Sequence, residues 1–337
     1  MKTQQHTSLS RRSFLKGTGL GLGALATSAP TFAWQNTIDV HQGVVATATL
    51  KNAGLQEQEQ LHAQYTTLAD TLDLAFRADQ QVLIVLGVVT NKPFPYSVDS
   101  KLLYASLKHL LAQGINAQQI TIAYNSEHDL AQTSSLMVSA SKALGKEFAP
   151  ARFINTRHTQ QWETLALPRA LPNVRVLAGA KRADHLIYLG QLTDQHGQPV
   201  APERAIAQTL LAADDLVHYT EQLDELTKIS ALNQAVFAKV RLLANNATRF
   251  IAATDALSTE EKCVHPGILN ISNDMASQAT FARHYLSALQ NETKVTARHA
   301  QSLVWMQHGS SRDPLTTRLV ESALSRSGVA LKKVTLG

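Results

Sequence analysis

The stretch Gln81 to Val89 (QVLIVLGVV) constrains the fold more than any other part of the chain. It carries no charge, is dominated by Val, Leu and Ile, and is far too short to cross a membrane as a helix. Its apolar residues are continuous, whereas a strand with one wet face would alternate apolar with polar. That pattern predicts a strand buried on both faces of a parallel sheet. Such a strand needs neighbours of its own kind and helices on either side, and the flanking sequence supplies both.

Before it, Gly43 to Leu50 reads as a strand. Gln56 to Ala78 reads as a helix, with Leu61, Tyr65, Leu68, Leu72 and Phe76 at spacings of three and four. After it, Pro93 and Pro95 impose an irregular loop. Asp99 is placed to cap a helix over Lys101 to Gln113 that Gly114 ends. Gln119 to Tyr124 is the next strand and Glu127 to Gly145 the next helix. A loop-like middle from Ala149 to Pro172 carries three prolines. Beyond it, Val174 to Leu177, His185 to Leu189, Arg249 to Ala253, Ile268 to Ser272 and Ala330 to Leu336 read as strands. Pro202 to Ala213, Gln222 to Ala244, Asp274 to about Gln290 and Pro314 to Ser325 read as helices. This alternation predicts an α/β fold with a mainly parallel sheet and helices on both faces. It is built as one domain or as two lobes with a boundary near residues 150–173.

The N-terminus gives a different kind of information. Ser10-Arg11-Arg12-Ser13-Phe14-Leu15-Lys16 is followed by an uncharged, glycine-rich apolar run from Gly17 to Ala29. This predicts a twin-arginine export signal over residues 1–33, in which Arg11, Arg12, Phe14, Leu15 and Lys16 address the twin-arginine translocase. Thr31-Phe32-Ala33 places small residues around a cleavage site after Ala33, leaving residues 34–337 as an α/β domain in the periplasm. The net charge of +5 belongs mostly to Lys2, Arg11, Arg12 and Lys16 of the signal. It is therefore no argument for nucleic-acid binding. No later stretch has the length of a stable membrane span. The single cysteine, Cys263, excludes an internal disulfide and, because such clusters need about four thiolates, a cysteine-ligated iron–sulfur cluster. The alternating glycines from Gly17 to Gly23 follow no strand, so they are signal sequence and not a dinucleotide fingerprint.

Loops after the carboxyl ends of parallel strands carry the sites of α/β proteins. Those loops here offer Lys92 after the first buried strand, His128 after the second, Asp194 and His196 after His185 to Leu189, and Asp255 and Asp274 after the late strands. Lys92, His128 and His196 are the candidate catalytic groups, and Asp194, Asp255 and Asp274 the candidate ligand-binding ones. Gathered in one crevice they would supply a cation, two imidazoles and three carboxylates, suited to acid–base work or to binding a metal or an anion. No metal set at zinc-like spacing accompanies them, since Cys263 and His265 make only one pair.

The order of segments resembles the DUF362 family of α/β proteins, which are largely of unknown function and often exported by this type of signal. The resemblance rests on four stretches: Gly114-Ile115-Asn116 through Ile122 and Ser126-Glu127-His128-Asp129-Leu130; Ala183-Asp184-His185-Leu186-Ile187; Ala253-Thr254-Asp255-Ala256-Leu257; and Ile268 to Ser277 (ILNISNDMAS). Thr193 stands where the family loop has a lysine, Met275 where its last signature has a proline, and the second aspartate of that signature is missing near Ala279. The resemblance therefore implies a divergent member, binding a small anionic ligand or a partner protein through a degenerate site. The alternative is an enzyme using Lys92, His128 and His196, with or without a metal. A fainter similarity, of architecture and not of activity, runs to the N-terminal domain of lactate-racemase-like proteins through Thr90 to Pro95 and His128.

Overall fold

The computed structural model describes residues 44–49, 58–72, 74–127, 151–168, 172–193, 200–219, 229–252, 262–264, 267–296 and 330–334. All of them belong to the compact unit Gln42–Gly337. The export signal, Ala33, and the candidate residues His128, Asp194, His196 and Asp255 lie outside the described residues.

The strands are β1 Val44–Thr49, β2 Val82–Leu86, β3 Ile120–Tyr124, β4 Arg152–Asn155, β5 Trp162–Leu165, β6 Val174–Leu177, β7 His185–Gly190, β8 Val240–Ala247, β9 Phe250–Ala252, β10 Lys262–Val264, β11 Ile268–Ser272 and β12 Ala330–Val334. The α-helices are α1 Gln58–Asp70, α2 Ser100–Ala112, α3 Ala178–Arg182, α4 Pro202–Leu210, α5 Ala213–Tyr219, α6 Ser230–Ala235 and α7 Met275–Thr296. Among the described residues eight strands form one sheet in the order β12-β1-β11-β8-β7-β2-β3-β4, and two small ribbons pair β9 with β10 and β5 with β6. Seven of the eight run one way. Only β11 opposes its neighbours, pairing antiparallel with β1 and β8. The fold is thus the expected α/β type, and its sheet takes strands from both sides of residues 150–173.

Burial explains why β2 reads as an unbroken apolar run. All five of its residues are buried, with Ile84 and Leu86 facing α1 and α2 and Leu83 and Val85 facing α4 and α6. Leu103, Leu107 and Leu110 of α2 are fully buried on the first of those faces. Asp99 caps α2, its Oδ1 accepting from Lys101 N at 3.0 Å. Gly114 ends the turn at φ 88°, a left-handed conformation that glycine adopts without strain. The two first-face helices are clamped where Glu59 accepts from Tyr104 Oη and Lys108 Nζ, both at 2.5 Å. On the opposite face α7 packs over β1, β11 and β8, burying Phe281, Tyr285 and Leu286.

Several expectations are corrected. Of the helix expected over Gln222 to Ala244, residues 222–228 lie outside the described residues, and the rest is instead the short α6, a 3₁₀ turn and then β8, a central strand. Val240, Leu243 and Ala244 continue the helical spacing of Leu232 and Val236. Burial between β7 and β11 overrides that spacing, because the segment has apolar neighbours on both faces. The loop-like middle holds β4 at the sheet edge and β5 in a ribbon. The first helix ends at Asp70, eight residues before its expected end at Ala78. Finally, β11 is interior but antiparallel. The chain leaves β8 through the β9–β10 ribbon, and a parallel return would have required a crossover of a dozen or more residues, usually helical.

Candidate functional site

The sheet reverses its winding between β2 and β7. From β2 the chain goes through α2 on one face to β3 on one side. From β7 it goes through α4 on the other face to β8 on the opposite side. The carboxyl ends of β2 and β7 therefore diverge into loops on opposite faces, and the crevice between them is where open α/β sheets receive ligands.

Both strands reach that crevice through the same pair, Leu86-Gly87 and Leu189-Gly190. Gly87 N donates to Leu189 O at 2.7 Å, holding the two backbones together. The Tyr188 ring lies over both glycines. A Cβ on Gly190 would meet the Tyr188 oxygen at 2.4 Å and its ring carbons at 2.6 and 2.7 Å, and one on Gly87 would meet that oxygen at 2.8 Å. The Tyr188 hydroxyl is buried there without a hydrogen-bond partner. Burial first, and then the charge of Glu203, raise its ionisation well above that of an ordinary phenol, so it is a neutral hydroxyl at physiological pH.

Further polar groups continue from this point along the α4–α7 face. Asn245 of β8 stands in register with Gly190 on one side and Asn270 of β11 on the other. Gln278 is fully buried on α7, above those strands. The Asn245 side-chain oxygen, both side-chain atoms of Asn270 and both of Gln278 have no hydrogen-bond partner. Gln191, next in the chain after Gly190, donates to Pro95 O at 3.3 Å and leaves its own buried oxygen without a partner. Each polar atom buried in this way costs about 1–3 kcal/mol. A stripe of them is a large sum against a typical domain stability of about 5–15 kcal/mol.

The other side of the crevice is held by hydrogen bonds. The loop after β2 is pinned by Val98 N to Val88 O at 2.8 Å and contains a cis peptide at Phe94–Pro95. Asn246 donates to Asp99 Oδ2 at 2.6 Å and accepts from Thr248 N at 2.9 Å. Burial pushes the Asp99 carboxyl above its usual range, opposed by its hydrogen bonds and by Lys101 and Arg249. The Arg249 guanidinium stacks on the Phe94 ring at 5.1 Å, and the exposed Lys92 Nζ lies 4.7 Å from the Tyr96 ring centre. Two cations therefore lie at this edge, and neutral donors and acceptors are buried beneath it. That combination can bind a polar molecule with an anionic end.

Lys92 is the one expected site residue that the described structure places at this edge. Asp274 is a correction. Because β11 runs antiparallel, the residue after it emerges at the opposite, amino-terminal edge of the parallel strands. There it accepts from Ser277 N at 2.7 Å and Ser277 Oγ at 2.5 Å as a turn at the start of α7. Tyr188, Gln191, Asn245, Asn270 and Gln278 are absent from the sequence-derived set. The available signals were the two Leu-Gly strand ends and the asparagines inside apolar runs. Among the described residues no three His, Cys, Asp or Glu side chains are grouped to hold a metal ion.

No protein-family model matches the chain, and no curated protein matches it. Among solved structures, the lactate racemase apoprotein from Thermoanaerobacterium thermosaccharolyticum is similar at a TM-score of 0.35 and 11% identity. The match covers 66% of this chain and 54% of that one, so the chain spans about half the length of that protein. No helix among the described residues is long and apolar enough to cross a membrane.

Proposed function

We propose that this is an exported, periplasmic, DUF362-like protein that binds a small polar ligand with an anionic group in the crevice between β2 and β7. The observation that carries the binding reading is the stripe of buried, unpartnered polar atoms from Tyr188 and Gln191 through Asn245 and Asn270 to Gln278. A ligand that hydrogen-bonds to them removes a cost the free protein bears, so binding and stability are linked. The groups are a neutral phenol and carboxamides, which recognise molecules without moving protons at neutral pH. Arg249 and Lys92 at the rim suit the anionic end.

The test is a search for small molecules released on denaturing the purified protein, repeated with Tyr188→Phe. Removing a hydroxyl that has no partner leaves the stability of the free protein unchanged or slightly higher. Loss of its bond to the ligand should weaken binding about tenfold, or 1.4 kcal/mol. Ligand retention equal to wild type, with a clear loss of stability in the variant, would mean that Tyr188 is a packing residue and nothing more.

Support for export comes from Ser10 to Lys16 and the small residues before Trp34. Replacing Arg11 and Arg12 together by Lys keeps the charge but removes two planar forks. The double variant should accumulate uncleaved inside the cell, while wild type is recovered from the periplasm with Trp34 as its first residue. Equal recovery of both from the periplasm would rule out the twin-arginine route.

A further inference from the structure

A second cleft lies at the opposite, amino-terminal edge of the parallel strands, where β2, β3 and β4 begin. Its volume is about 240 Å³. That is several times the roughly 30 Å³ a water occupies in the liquid and below the range of about 300–1,000 Å³ usual for drug-sized ligands. A molecule of a few carbon atoms fits. Two arginines line it, Arg152 from β4 and Arg182 from the end of α3, together with the glutamines Gln81, Gln118, Gln119 and Gln161. None of the described lining residues is acidic.

The arginines are the informative feature. Arg77, Arg157 and Arg175 are each matched to a carboxylate, whereas Arg152 and Arg182 are the two arginines that share one cleft. Arg152 and Arg182 are paired with no carboxylate among the described residues. Arg152 Nη2 donates to Gln161 Oε1 at 2.8 Å, and Arg182 Nε donates to Ala178 O at 3.3 Å. These bonds to neutral oxygens fix each guanidinium without neutralising it and leave most of its five N–H donors for a ligand. The neighbouring acids are otherwise engaged: Glu163 holds Lys181 at 3.0 Å, and Asp184 Oδ2 accepts from Gln81 N at 2.8 Å. Two like charges on one small cleft repel each other until an anion sits between them, and a planar fork matches a carboxylate in a bidentate fashion.

We infer that this cleft is a second binding site, for a small carboxylate held by Arg152 and Arg182. It lies at the other end of the strands from the crevice between β2 and β7, and its failure would leave that reading untouched.

Succinate and inorganic phosphate titrated into the purified protein by calorimetry test it. Wild type should bind succinate saturably and more tightly than phosphate. Arg152→Gln and Arg182→Gln should each weaken succinate at least about tenfold, since each removes one charged fork. Arg241→Gln, a change of the same charge at an exposed residue that does not line the cleft, should leave the affinity unchanged. Arg152 and Arg182 are both exposed, so their variants should melt like wild type. Absence of saturable succinate binding overturns the inference, as do Arg152 and Arg182 variants that bind like wild type. An equal loss in Arg241→Gln would show general charge attraction, and phosphate binding as tight as succinate would remove the carboxylate assignment.

Discussion

Val85→Asp should abolish folding. Val85 is fully buried at the centre of the sheet, in register with Tyr188 on β7 and Ala123 on β3, and it faces the helices of the second face. A carboxylate there has apolar neighbours and no cation to pair with. The expected loss is about 4–5 kcal/mol or more, since an unpaired buried charge is among the few single changes of that size. That is from about a third to nearly all of the roughly 5–15 kcal/mol that a typical domain has. Val85→Ala, which removes two methyl groups and adds no charge, should lose only about 2 kcal/mol and stay folded. Circular dichroism with a urea titration separates the two. A Val85→Asp protein that melts with wild type would remove β2 from the centre of the core.

Gly190→Val comes next in size and acts on the site directly. Even a single Cβ at this position would sit 2.4–2.7 Å from the Tyr188 ring and hydroxyl, closer than real Cβ contacts. The ring cannot simply swing aside, because the same hydroxyl closes over Gly87 and the residue is buried on all sides. Overpacking of this kind costs about 1–3 kcal/mol, and the displaced phenol also closes the crevice. The variant should therefore lose both stability and ligand retention. The specific cause is testable by a double-mutant cycle. With Tyr188→Leu in place the ring is gone, and Gly190→Ala should then cost about 1–2 kcal/mol less than it does alone. Additive losses would show that the glycine is needed for some reason other than the close approach of Tyr188.

How much of this was legible beforehand depends on the range of the physics involved. Apolar runs and helical spacing are local, so β2, β3, β7, β11, the Asp99 cap and the Gly114 stop could be read from neighbours a few residues apart. The expectation failed at Val240 to Ala247 because the same apolar spacing fits a helix or a strand, and the choice rests on β7 and β11, which are distant in the chain. The site followed the same divide. Lys92 lies beyond the carboxyl end of β2 as expected, because a loop after a strand is a local inference. Asp274 was misplaced because the direction of β11 is a property of the whole sheet.

The sequence by itself determined the class of fold and most of the interior strands, each written in the order and spacing of side chains. Tertiary structure alone decided the strand order, and with it where the winding reverses. It set Gly87 against Gly190 beneath Tyr188, and Asn245 beside Asn270. Strand order is fixed by which apolar faces bury each other best across the finished core, a sum over contacts between segments up to hundreds of residues apart. No window of the chain contains that sum, so a glycine at a strand end and an asparagine inside an apolar run show their role only once their neighbours are in place.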